Sequence, residues 1–153
     1  MPGCVFRASG DEFVPQEFLS RSSFSACNVF LRGEARGSSS VWQTSGFTVE
    51  VSAASGEEFG EQIQDAFEFL NRFRDELSRL ADMSGVTNLR LDFGVSRKSG
   101  FLQSSYLPPE LLKVAGGLKI GIEISIYSED NIESTYPRRN RTSAWSGLAI
   151  TVL

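Results

Sequence analysis

Apolar and polar residues alternate along several short stretches of the chain, and this period of two is typical of β-strands. The stretches predicted as strands are 4–8, 24–31, 47–51, 89–95 and 120–126. An alternating strand has one apolar face and one more polar face. We therefore expect a sheet that helices cover on one face, with the other face more exposed.

The longest helix is predicted after the third strand. Ser55-Gly56-Glu57-Glu58 has the Ser-x-x-Glu spacing of a capping box, which is a helix start signal. From Phe59 to Leu80, apolar residues recur at steps of three and four and fall on one face of a helix. Gly85 is suited to end the helix. The apolar face must pack against another element.

Two shorter helices are predicted to begin at proline, whose fixed φ suits the first helical position. One begins at Pro15, and the other begins at Pro108 and ends at Gly116-Gly117. The order β-α-β-β-α-β-α-β predicts an α+β fold with a mostly antiparallel sheet and helices on one face. The first six elements are compatible with a ferredoxin-like unit that the last helix and strand extend.

Length and composition fit one domain. The 153 residues are 41% hydrophobic and 22% charged, which is typical of a globular protein. We expect a single α+β domain over residues 1–127 and, at 128–153, a C-terminal tail or an additional edge strand. The apolar end of that segment, 146–153, is also a candidate for homo-oligomer contacts.

The absence of histidine excludes whole reaction classes. Without an imidazole there is no Ser-His-Asp triad, no Cys-His pair and no two-His metalloprotease helix. Two cysteines cannot supply a four-thiolate zinc site. Cys4 and Cys27 lie in strand-like stretches, so we expect free core residues, the alternative being a disulfide or a reactive thiol. The sequence predicts no catalytic constellation, cofactor or metal site, and we expect that the protein is not an enzyme.

The chain has no sequence feature of a membrane or secreted protein. It has no run of eighteen apolar residues and no charged N-terminal flank followed by an apolar run. We therefore expect a soluble cytoplasmic protein with no membrane association.

Several local sequences resemble a bacterial family of small single-domain proteins known as domain of unknown function 4279. They include 6–11 leading into the Pro15 helix, Trp42 with 44–47, the long amphipathic helix, and 107–112 leading to 122–127. The resemblance covers about Val5 to Tyr127. It supports the fold and implies no established activity.

Two candidate binding sites lie near predicted turns. Asp11 and Glu12 follow the first strand, where carboxylates can meet a cation or a basic partner, although such residues also make turns and cap helices. Trp42 precedes a Thr-Ser-Gly turn and would be a good interface anchor if exposed, although tryptophan is usually largely buried.

A third candidate is the polar side of the fourth strand, where Arg90 and Asp92 lie together. We expect Glu50 or Glu123 to lie across from them, in cross-strand ion pairs or in a site for a ligand or partner. Arg97 belongs to a Gly-rich segment, 94–100, that lacks the spacing of a phosphate loop.

The charge distribution does not favour nucleic acid as a partner. The net charge is −4, and the predicted helical stretch 57–82 alone carries eight acidic residues against three arginines. Arg138, Arg139 and Arg141 follow acidic residues and do not form a basic domain.

The first functional hypothesis is a protein-protein interaction module, of inhibitor or immunity type, that binds an unidentified protein through the open sheet face or the acidic helix. The alternative is a small-ligand-binding protein or a carboxylate- and Arg-based enzyme. Its pocket would lie between the sheet and the loops around Asp11, Trp42 and Arg97.

Overall fold

The computed structural model describes residues 3–128, in which seven strands and four helices follow one another. They are β1 (Cys4–Gly10), α1 (Pro15–Leu19), β2 (Asn28–Phe30), β3 (Ala35–Arg36), β4 (Ser40–Val41), β5 (Ser45–Ser52), α2 (Phe59–Arg72), α3 (Arg74–Ala81), β6 (Asn88–Ser96), α4 (Pro109–Gly117) and β7 (Gly121–Tyr127). The C-terminal tail or additional edge strand predicted at 128–153 falls almost entirely outside the described residues.

Five strands form one mixed sheet in the order β2-β5-β1-β6-β7. The pairs β2–β5, β5–β1 and β1–β6 are antiparallel, and β6–β7 is parallel. The parallel pair needs a crossover connection, which α4 provides. The α+β fold with a mostly antiparallel sheet is therefore confirmed. The ferredoxin-like arrangement of the first six elements stays a prediction.

The core lies between one face of the sheet and the helices. Alternate strand residues are fully buried there, and the helices contribute leucines from their apolar faces. The largest of these buried side chains are Phe6, Phe47, Phe93, Leu70, Leu77, Leu80, Leu91 and Leu111. The polar side chains of the strands lie on the other face of the sheet, away from the helices.

The long helix differs from its prediction. It is divided into α2 and α3 at Phe73, whose backbone leaves helical geometry while its ring packs edge-on against Phe24 at 5.0 Å. Only half of the predicted capping box forms: the Ser55 backbone N–H donates to the Glu58 carboxylate, and the Ser55 hydroxyl does not cap the helix. This hydrogen bond lowers the pKa of Glu58.

The segment between β1 and β5 also differs. The second strand is confined to Asn28–Phe30 instead of 24–31, because Phe24 packs against the buried rings of Phe6 and Phe69. The loop predicted at 33–40 contains the short β3–β4 hairpin. That hairpin carries part of the candidate site.

Candidate functional site on the open face of the sheet

The open face of the sheet is the face opposite the helices. The register places Arg7 of β1 directly beside Arg90 of β6. It places Asp92 of β6 directly beside Glu123 of β7. We call these four side chains the charge quartet.

The charge quartet is joined by diagonal ion pairs. Arg7 Nη2 lies 3.1 Å from Asp92 Oδ2, and Arg90 Nη1 lies 2.6 Å from Glu123 Oε2. The Ser125 hydroxyl also donates to Asp92 at 2.7 Å. The opposite charges are diagonal, and the like charges are directly across from each other, which is the less stable placement on a sheet.

An aromatic stack borders the quartet. The Trp42 ring lies on the Phe30 ring at a centroid distance of 4.0 Å and an angle of 20°. The Arg36 guanidinium also lies over the Trp42 ring, 4.5 Å from its centroid, in a cation–π contact. The stack fixes an indole and a guanidinium beside the sheet, which are the side chains most enriched at binding hot spots.

The quartet and the stack line one concavity of about 430 Å³. Its lining is Arg7, Ser9, Phe30, Arg36, Trp42, Gln43, Thr44, Arg90, Asp92, Glu123, Ser125 and Tyr127. The site offers three guanidinium groups, two carboxylates and one aromatic platform. These groups can form charge-assisted hydrogen bonds with a partner that carries both signs of charge.

Three of the six residues predicted as binding residues meet in this concavity: Trp42, Arg90 and Asp92. Asp11 and Glu12 are exposed in the turn after β1, where the Glu12 carbonyl lies against Gly85, and they do not line it. Arg97 follows β6 and donates its backbone N–H to the Tyr127 carbonyl, but it is also outside the lining. Of the three residues around which a pocket was predicted, Asp11, Trp42 and Arg97, only Trp42 lines this concavity.

Sequence reasoning missed Arg7, Phe30 and Arg36. The alternation of β1 predicted that Arg7 lies on the polar face. No sequence pattern predicted that β1 pairs with β6, which brings Arg7 beside Arg90 and Asp92. Phe30 pairs with Gly46 in the β2–β5 register, and its ring covers that glycine on the open face. In β-sheets an aromatic side chain often covers a glycine of the neighbouring strand. Gly46, directly before the predicted strand 47–51, was therefore the sequence feature that could have indicated a covering aromatic residue. Of the two predicted partners, Glu123 contacts Arg90, and Glu50 is exposed beside Val5.

A second groove, of about 650 Å³, lies between β5 and α2. It contains none of the six predicted binding residues and is lined by Glu50, Val51, Gln64, Asp65, Phe67, Glu68, Phe69, Asn71, Arg72 and Phe73. Among residues 3–128, no cluster of three Cys, Asp or Glu side chains is arranged to hold a metal ion. Within the same residues no helix has the length and apolar character needed to span a membrane.

The two cysteines have different environments. Cys4 is free and fully buried, as expected, and its burial raises the pKa of the thiol, with the negative charges of Asp92 and Asp65 adding to the effect. The prediction that Cys27 is a core residue was wrong. Cys27 is exposed just before β2, where its sulfur accepts the backbone N–H of Glu50, because β2 is shorter than predicted and lies at the sheet edge.

Comparison with known proteins gives one family and no relative of assigned function. No curated protein and no solved structure matches the chain. The family model described as "Domain of unknown function (DUF4279)" matches residues 2–129, which include every described strand and helix. The chain belongs to the DUF4279 family.

Proposed function

We propose that this protein is a protein-protein interaction module, of inhibitor or immunity type, that binds its partner through the open face of the sheet. The observation that carries the proposal is the charge quartet, in which Arg7 lies beside Arg90 and Asp92 beside Glu123. A face selected only for stability would place opposite charges directly across from each other. Departures from such local rules are expected at functional sites.

The surroundings of the quartet support the same proposal. Trp42 is half-buried, and both the Phe30 ring and the Arg36 guanidinium lie against its ring system. Because the tryptophan and the arginine are already ordered, binding a partner through them costs less conformational entropy. A folded partner or an extended peptide would gain contact area without rearranging the sheet.

The proposed compartment is the cytoplasm. Both cysteines of the chain are free, and Cys27 is exposed. An exposed free thiol is suited to a reducing compartment, where disulfides rarely persist.

The proposal is tested by partner capture from a lysate of the source organism, with Arg90→Ala compared with the wild type. We expect Arg90→Ala and Trp42→Ala each to reduce the recovered partner by about tenfold or more, as truncation of a hot-spot residue does. Arg79→Ala, on α3 at the other side of the sheet, is the matched control and should recover as much partner as the wild type. Equal recovery by Arg90→Ala and Arg79→Ala, with both variants folded, would exclude the open face.

A second candidate is a small-ligand-binding protein or an enzyme that uses carboxylates and arginine. It is favoured by the volume of the concavity, which falls within the range of about 300–1,000 Å³ typical of ligand sites. Asp92 and Glu123 are neighbouring carboxylates of the kind used for acid-base chemistry. A thermal-shift screen of metabolites and divalent ions tests it, because a ligand of the native state raises the apparent stability.

A further inference from the structure

Among the described strands, β7 has an outer edge with little protection against further pairing. β7 ends the strand order and pairs only with β6 among the described strands. Edge strands of natural proteins usually carry a proline, a bulge or an inward-pointing charge that prevents further pairing. β7 has no proline, its register with β6 is uninterrupted, and its one charge, Glu123, lies on the open face.

We propose that two copies of the chain associate through this edge, with their β7 strands antiparallel and a two-fold axis at Ile124. The two sheets would then form one continuous sheet. A closed, two-fold contact of this kind uses the same surface on both copies.

The direction of the backbone groups supports the pairing. The Tyr127 carbonyl accepts the Arg97 N–H at 2.8 Å, so the peptide groups of Tyr127 point toward β6. In a strand this direction alternates from residue to residue. The N–H and C=O groups of Ile122, Ile124 and Ile126 therefore point away from β6, toward the free edge.

The sequence of β7 reads nearly the same in both directions about Ile124. Antiparallel pairing centred there places Ile122 opposite Ile126 and Glu123 opposite Ser125 of the second copy. The outward-pointing residues then face one another, which gives about six backbone hydrogen bonds across the edge. Isoleucine meets isoleucine on the helix side, and no like charges meet on the open face.

The side chains at this edge are exposed in the described chain. Ile124 is 38% exposed and Ile126 is 67% exposed, although both point to the helix side. Leu112 of α4, which packs against β7, is 45% exposed. A second copy would cover these apolar atoms, and burial of apolar surface favours association.

Sedimentation velocity of the full 153-residue chain over a range of concentrations tests the proposal. We expect a dimer for the wild type and a dissociation constant raised at least about tenfold by Ile124→Lys, because the axis would bring two ammonium groups together. Val14→Lys, which changes another exposed apolar residue far from β7 in sequence, is the matched control and should leave the dimer intact. Circular dichroism confirms that each variant is folded.

A cross-linking experiment tests the register independently of charge. In a Cys27→Ser background, Ile124→Cys should form a disulfide with itself in the dimer, since directly opposed residues lie about 5.5 Å apart. Ile122→Cys is the matched control and should cross-link far less, because the proposed register places it opposite Ile126.

Three results would overturn the proposal. A wild-type monomer at every concentration would mean that the edge stays unpaired or that residues 129–153 of the same chain occupy it. A dimer that Ile124→Lys leaves unchanged would place the interface elsewhere. Equal cross-linking by the two cysteine variants would exclude the proposed register.

Discussion

Gly46 links the candidate site to the sheet through its lack of a side chain. A Cβ at this position would lie 2.2 Å from the Ala8 carbonyl oxygen and 2.7 Å from the Phe30 ring. Because both positions are closer than atoms can approach, only glycine lets the ring lie on the strand. The Phe30 ring in turn supports Trp42, so the aromatic stack depends on the absence of a side chain at Gly46.

A pH prediction also belongs to a single residue. The pKa of the buried Cys4 thiol is raised above its unfolded value of about 8.5, so stability is fully present below that pH. Above it, the unfolded chain loses a proton that the folded chain keeps. The free energy of unfolding should therefore fall by up to about 1.4 kcal/mol per pH unit.

Urea unfolding of the wild type and Cys4→Ala between pH 7.5 and 10 measures this effect. We expect Cys4→Ala to be less stable at pH 7.5, because a buried group is lost, and to show a shallower decline toward pH 10. Cys27→Ser serves as the control and should keep the wild-type slope. An equal decline of unfolding free energy with pH in the wild type and Cys4→Ala would show that the Cys4 thiol does not cause the effect.

At the scale of elements, Gln62 joins three segments of the chain. Its side chain is fully buried in α2, and its amide nitrogen lies 2.9 Å from the Ser55 carbonyl and 2.8 Å from the Gly94 carbonyl. A third carbonyl, that of Ala54, lies at 3.3 Å. These hydrogen bonds fix the first turn of α2 against β6 and against residues 54 and 55 of the β5–α2 connection.

Replacement of this amide should destabilise the fold. Gln62→Leu keeps a similar size but leaves buried carbonyls without donors, and we expect a loss of about 2–4 kcal/mol in unfolding free energy. Gln64→Leu makes the same change at an exposed position of the same helix and should shift stability by no more than about 0.5 kcal/mol. Chemical denaturation of both variants measures the difference, and equal losses would contradict the role of Gln62.

The predictability of each element follows from where its determinants lie. β1, β5, β6 and β7 were predicted because alternation depends on neighbours in the sequence. The division of the long helix at Phe73 was not predictable, since it depends on contact with Phe24, a residue of another segment. The candidate site has the same limitation: Arg90 and Asp92 were found on one strand, whereas Arg7 joins them only through the strand order.

At the scale of the whole molecule, the acidic helices and the candidate site lie on opposite sides of the sheet. The stretch 57–82, which contains α2 and α3, carries a net charge of −5 and packs on the helix side. The candidate site on the open face is close to neutral, because its three arginines stand against two carboxylates. A partner of the open face should therefore bind with a weak dependence on salt, since long-range steering needs net charge.

Hydrogen exchange should map the stability of the whole sheet. We expect the slowest amides in β5, β1 and β6, which have a strand on both sides, and the fastest in β3, β4 and residues 97–108. Mass spectrometry of the exchanging chain measures this order. Protection of β3 and β4 equal to that of β1 would contradict it.

The central position of β1 also has a consequence for the timing of folding. Arg7 belongs to the first strand made, and its partner Asp92 is 85 residues further along the chain. Pairings between such distant segments form late and slowly. A chain still in synthesis thus carries Arg7 without Asp92 or Glu123, and a partner that recognises the complete quartet binds only the finished fold.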